Sequence, residues 1–115
     1  MAGKSLGRLR KGREFDRVYS EGTVIGGPLF VVRVVANEVS EARWGFAVGK
    51  KLAPKSVVRN RTRRRLREAV RLSEFPGGRD YVVTARPRLL EASFQDICRQ
   101  FVRVKGQLPV SEGVE

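Results

Sequence analysis

The sequence predicts an α+β domain, with three helices on a four-stranded, mostly antiparallel sheet in the order α-β-β-β-α-β-α. Three observations carry this. Leu29–Ala36 and Asp80–Arg86 are dense in valine, the signature of buried strands. Three other stretches repeat apolar residues at steps of three and four, the helical spacing. Glycine- and proline-bearing breaks at Gly26-Gly27-Pro28 and Pro76-Gly77-Gly78 separate them. At 115 residues the chain is one domain's worth. Residues 1–115 are read as a single domain, folded over about 8–105, with 1–7 and 106–115 expected to be flexible. There is no internal repeat.

In chain order, Phe15, Val18 and Tyr19 share one face of a short helix from Arg13, which Gly22 ends. Thr23–Ile25 reads as a short strand. In the strand Leu29–Ala36, Phe30, Val32 and Val34 share one face, and Val31, Arg33 and Val35 the other. Asn37–Ala42 is a polar turn. Arg43–Lys50 is the third strand. Trp44, Phe46 and Val48 form its apolar face; Gly45, Ala47 and Gly49 leave its other face nearly bare, open to close approach by another chain. Pro54 and Ser56 announce a helix over about Val57–Leu72. Its stripe of Val58, Thr62, Leu66, Ala69 and Val70 is expected to pack on the sheet. Asp80–Arg86 is the fourth strand, stopped by Pro87. Ser93 caps a last helix with Phe94, Ile97, Cys98 and Phe101 on one face.

Composition narrows the function. There are 24 Lys and Arg against 12 Asp and Glu, a formal charge of +12. So one-sided a charge repels itself in a compact fold and suits an acidic partner such as nucleic acid or an anionic membrane. Residues 50–71 hold ten basic side chains and the single acid Glu68, and residues 1–13 hold five and no acid. A block this concentrated is what a phosphate backbone selects for. The lone cysteine excludes an internal disulfide, and the absence of histidine excludes His-based acid–base chemistry and His-ligated zinc. No apolar run approaches the ~20 residues of a membrane span. The basic N-terminus lacks the apolar core of a secretory signal. A cytoplasmic setting is therefore expected.

The helix after Ser56 carries Arg59, Asn60, Arg61, Arg63, Arg64, Arg67 and Arg71. Spacings of three and four set Arg59, Arg63 and Arg67 in one row, and Asn60, Arg64, Arg67 and Arg71 in another. Guanidinium groups make bidentate bonds to phosphate and stack on bases, so such rows can track a nucleic-acid backbone. The bland reading, a solvated basic face, fits poorly because ordinary exposed faces mix in acids at every turn.

These residues resemble the signature of the bacterial ribonuclease P protein component. Its pattern is a glycine, an apolar strand, two lysines, a short loop, an apolar pair, Arg-Asn-Arg, a basic pair, then an apolar residue and Arg-Glu. It is met here by Gly45, Lys50, Lys51, Val57, Arg59, Asn60, Arg61, Arg63, Arg64, Leu66, Arg67 and Glu68. Phe15, Tyr19 and Gly22 fall at the family's aromatic, aromatic and glycine positions, and the likeness covers about residues 8–105. It implies a ribosomal-protein-like two-layer sandwich with one left-handed βαβ crossover, against the usual right-handed rule. It also implies the small subunit of a ribonucleoprotein that removes the 5′ leader of precursor tRNA. The catalytic magnesium ions would be held mainly by the large RNA, with no organic cofactor and no catalytic or certain metal-binding residue in the protein.

On that resemblance the Arg-Asn-Arg helix binds ribonuclease P RNA, through Arg59, Asn60, Arg61, Arg63, Arg64, Arg67 and Arg71. A cleft of Phe15, Tyr19, Val31, Arg33, Ala47, Gly49 and Lys51 holds the single-stranded leader. Aromatic stacking tolerates any base and is worth ~1–3 kcal/mol per base. The chain departs from the family pattern at Ala47 and Gly49, where small polar residues are frequent, and at Arg33, where an aromatic is. The expected partners are ribonuclease P RNA and precursor tRNA, with neither membrane nor DNA. The alternative is a ribosomal-type protein clamping rRNA, which predicts basic extensions throughout, whereas residues 72–115 balance six charges against six. A self-sufficient nuclease would need a base or a carboxylate cluster that the sequence does not offer.

Overall fold

A computed structural model of the chain describes residues 7–109. The elements are β1 (Gly7–Arg8), α1 (Gly12–Glu21), β2 (Thr23–Ile25), β3 (Phe30–Ala36) and β4 (Arg43–Ala47), then α2 (Ser56–Ser73), β5 (Arg79–Ala85), a 3₁₀ turn (Pro87–Glu91) and α3 (Phe94–Gly106). The five strands form one sheet in the order β1-β4-β5-β3-β2. The four-stranded, mostly antiparallel sheet needs correction. β2–β3 and β3–β5 are antiparallel, but β4–β5 and β1–β4 are parallel. The extra strand, β1, is two residues long and carries no apolar pattern. It exists through its ladder, Gly7 N–H to the Ala42 carbonyl at 3.0 Å and Leu9 N–H to the Trp44 carbonyl at 3.1 Å. Gly7, expected in a flexible arm, is therefore paired. The rest of that expectation falls mostly outside the described residues, and α3 itself reaches Gly106.

Helices cover both faces of the sheet, where a two-layer sandwich was implied. On one face α2 and α3 enclose the main core, built on Phe30, Val32, Val34, Trp44, Phe46, Tyr81 and Val83, with Leu66, Ala69, Val70, Ile97 and Phe101 facing them. Trp44 stacks on Tyr81 at 4.1 Å and Phe30 packs on Phe101 at 4.4 Å, a gain beyond area burial. Burial drives the Tyr81 hydroxyl pKa far up, and the hydroxyl donates to the Pro76 carbonyl at 2.9 Å. On the other face α1 lays Val18 against Val82, with Leu9, Phe15 and Val35 around them. This second cluster is small, so α1 depends on polar anchors.

Arg43 supplies the main anchor. Its Nε and Nη2 donate to the Asp80 carboxylate at 2.8 and 2.9 Å, and its Nη1 to Glu14 on α1 at 3.3 Å. Asn37 completes the set, donating to Asp80 at 2.8 Å. Glu14 also accepts the Arg10 and Lys11 backbone N–H groups at 2.8 and 3.1 Å, capping α1. Those backbone bonds, with the Arg43 charge, hold its carboxyl below the usual carboxylate range.

The remaining elements are close to expectation. Ser93 Oγ accepts the Asp96 N–H at 3.0 Å and caps α3. Gly22 ends α1. Several element ends move by one residue, and two boundaries change more in character. β4 stops at Ala47, not Lys50, because its ladder to β5 ends at Thr84, and Ala53 N–H then closes a turn onto the Gly49 carbonyl at 3.0 Å. Helix α2 is capped by Lys55 with no side-chain bond, and Ser56 lies inside the helix. At the other end of α2, Glu74 adopts the left-handed conformation (φ 56°) and places a carboxylate at the helix C-terminus. Glu74→Gly relieves both and raises stability by roughly 1 kcal/mol, read as a higher urea midpoint at constant m.

Candidate nucleic-acid interface

The basic block becomes a helical face. Thr62, Leu66, Ala69 and Val70 are buried, which turns Asn60, Arg64, Arg67 and Arg71 outward. The arginines divide by what they bond. Arg59 Nη1 donates to the Ala53 and Pro54 carbonyls, both at 2.9 Å, tying the loop to the helix start. Arg63 donates to Asn60 Oδ1 at 3.0 Å, so Asn60 bridges locally. Arg65 donates to the Ala92 carbonyl at 2.8 Å, and Arg71 pairs with Glu68. Arg61, Arg64 and Arg67 have no acceptor among the described residues. Their guanidinium groups keep their full donor capacity.

Arg67 is the most constrained of these. Its guanidinium carbon lies 5.0 Å from the centre of the Phe46 ring. Burial and then the nearby charge of Arg8 lower its pKa, so the cation is uncompensated within the fold. Arg8 was missed as a site residue. The signal was the acid-free N-terminal arm, but only the β1–β4 pairing carries that arm to α2.

On the opposite face of the sheet, α1 packs against β3 and β5, beside the residues expected to form the cleft. Phe15 is half-buried and lies against Gly45, where a Cβ would collide with its ring. The bare strand face thus admits a ring of this same chain at Gly45. It stays half-open one step on, at Ala47. Tyr19 is 46% exposed, and the Arg33 guanidinium lies 5.1 Å from its ring centre. The registers set Val31, Thr84 and Ala47 in one row across β3, β5 and β4, and Arg33, Val82 and Gly45 in the next. Five of the seven expected cleft residues come together on this face. Gly49 and Lys51 do not share the strand face; they sit in the exposed loop beyond the end of β4. Thr84 was missed because β5 reads as a plain buried strand. It lies in the middle of the cleft row, and its buried Oγ1 has no partner among the described residues.

Among the described residues no three acidic or cysteine side chains cluster as metal ligands could. None of their helices is long and apolar enough to cross a membrane.

The Ribonuclease P family profile matches residues 4–108. The ribonuclease P protein component of Caldanaerobacter subterraneus is 36% identical over 114 residues, 97% of each chain. That of Symbiobacterium thermophilum is 40% identical over 97 residues, 82% of this chain and 84% of the relative. Among solved structures, the RNase P protein of Thermotoga maritima superposes with a TM-score of 0.80 at 28% identity, covering 90% of this chain and 98% of that one. The Staphylococcus aureus RNase P protein gives 0.78 at 28% identity, covering 90% and 95%. A profile spanning the arginine helix, the cleft and α3 together, with full-length relatives and the same fold, settles the assignment: the chain belongs to the bacterial ribonuclease P protein component family, the protein subunit of the endoribonuclease ribonuclease P.

Proposed function

We propose that the chain grips two RNAs at once. Helix α2 binds ribonuclease P RNA through Arg61, Arg64 and Arg67, with Arg59, Asn60, Arg63 and Arg71 supporting and Arg8 extending the surface. The cleft of Phe15, Tyr19, Val31, Arg33 and Ala47, bordered by Gly49 and Lys51, holds the 5′ leader of precursor tRNA. Bond breaking is left to magnesium ions held by the RNA, and the chain's own work is to position the leader. The proposal includes a cytoplasmic location and the left-handed sense of the β4–α2–β5 crossover that the family resemblance implies.

One observation carries the reading most directly. Uncompensated guanidinium groups occupy one surface, and a half-open aromatic-walled groove occupies the opposite face of the same sheet. A protein clamping a single rRNA has no use for the second surface. Reconstitution tests it. The chain mixed with ribonuclease P RNA at low magnesium should cleave leaders that neither component cleaves alone. Cleavage by the chain alone, or none by the mixture, sinks the proposal.

Tyr19 gives the sharper check on the cleft. Phe15→Ala empties the small α1 core, but Tyr19 is exposed and its loss leaves the packing intact. Tyr19→Ala weakens the holoenzyme's affinity for a leader-bearing precursor by roughly tenfold, with mature tRNA unaffected. Equal losses for the two ligands would point to the fold instead of the leader.

A further inference from the structure

A concavity of about 500 Å³ opens between the β2–β3 turn, the 3₁₀ turn and α3, on the sheet face opposite the cleft. Arg88, Arg99 and Arg103 line it, from two elements. By sequence this region is charge-neutral, and folding gathers half of its six basic residues at one place. Arg88 and Arg103 have no acceptor among the described residues. The carboxylates are Glu91 and Asp96, and Asp96 is occupied by Arg99 at 2.9 Å. Arg65 of α2, bonded to the carbonyl of the lining residue Ala92, adds a further positive charge.

The turn beside the site is pinned by hydrogen bonds. Buried Gln100 accepts the Leu29 N–H at 2.9 Å and donates to the Phe30 carbonyl at 2.7 Å, stapling the β2–β3 turn to α3. A Cβ at Gly27 would strike the Gln100 amide and displace it from these two bonds. Arg86 N–H fixes the same turn at 2.9 Å through the Leu29 carbonyl. Pro28, Leu29 and Ala92 leave an apolar floor. A concavity of nucleotide size with an apolar floor and free guanidinium groups suits a base and its phosphate.

We propose that this concavity is a second RNA-binding site, taking one nucleotide of a single strand, its base on the Pro28–Leu29–Ala92 floor and its phosphate on Arg88 and Arg103. The site rests on the chain's work within a ribonucleoprotein. It extends the positive surface from α2 around to α3, so the bound RNA wraps two sides of the domain. The strand comes from ribonuclease P RNA or from precursor tRNA, two sources of one chemistry.

The test compares three variants: R88A/R103A, E91Q, and R64A/R67A on α2 as the reference. Affinity is measured against salt, for ribonuclease P RNA binding the chain and for precursor tRNA binding the holoenzyme. R88A/R103A should weaken one of these roughly tenfold and flatten its salt slope by about 1 to 2, and the RNA affected names the source. E91Q removes a repelling carboxylate and should tighten the same RNA by about twofold to fivefold, a gain no folding defect can mimic. Unchanged affinities and slopes for R88A/R103A, with R64A/R67A weakened, overturn the site alone. No effect from R64A/R67A either overturns the α2 surface as well.

Discussion

Replacing Arg43 by Ala lowers the stability of the domain by about 3–5 kcal/mol. Asp80 is 1% exposed, and Arg43 supplies two of its hydrogen bonds. Removing the guanidinium strands a buried carboxylate on which only Asn37 remains. Against the 5–15 kcal/mol typical of a whole domain, that is a large fraction. The loss also reaches the cleft. Glu14 sheds its tie to the sheet, and α1 keeps its small apolar cluster and the Arg17 Nη2 bond to the Ala36 carbonyl at 2.8 Å. Arg43→Lys places one ammonium where a fork bridged two carboxylates, so its loss is intermediate. Urea unfolding checks this through the midpoint at constant m. A loss below about 1 kcal/mol would mean that Asp80 is solvated after all.

The sequence made the helix faces legible because each periodic stripe had a single outlet. Leu66, Ala69 and Val70 had to be buried, and the arginines had to be turned outward. The four valine-bearing strands were equally plain. Parallel pairing of β4 with β5 came only with the family resemblance and its βαβ crossover, not from the strand patterns. Which neighbour β5 finds depends on where α2 sets it down, and a hydrophobic run does not encode that. β1 was invisible because two residues carry no period, and its existence depends on the free edge of β4. Arg8 was lost with it. Thr84 was hidden because a cleft row is a property of three strands in register. The three-residue shift at the end of β4 has the same origin, since Val48 stays apolar and buried after the ladder has ended. Asn60 and Arg71 could be placed on the outer face by spacing, but their bonds to Arg63 and Glu68 depended on rotamers.

Replacing Arg64 and Arg67 together by Ala weakens binding of the chain to ribonuclease P RNA on the order of 100-fold and makes the salt slope shallower by about 2. These two side chains have donors that the fold does not use, so phosphate contact costs no internal bond. The same logic ranks the others. Arg71→Ala has a smaller effect, because Glu68 already shares its charge in an exposed pair. Glu68→Gln should free Arg71 and tighten the complex. Arg59→Ala opens the Ala53 and Pro54 contacts, so its loss mixes folding with binding. Arg67→Lys separates charge from shape: it keeps the slope and surrenders the fork and the stacking on Phe46. The free chain should report the Arg8–Arg67 repulsion without RNA. Arg8 beside Arg67 repels until an anion sits between them, so sulfate should raise the melting temperature more than chloride at equal ionic strength. R64A/R67A should lose much of that difference. If both salts stabilise wild type and variant alike, the two arginines are ordinary solvated cations, and the RNA surface must be sought elsewhere on the domain.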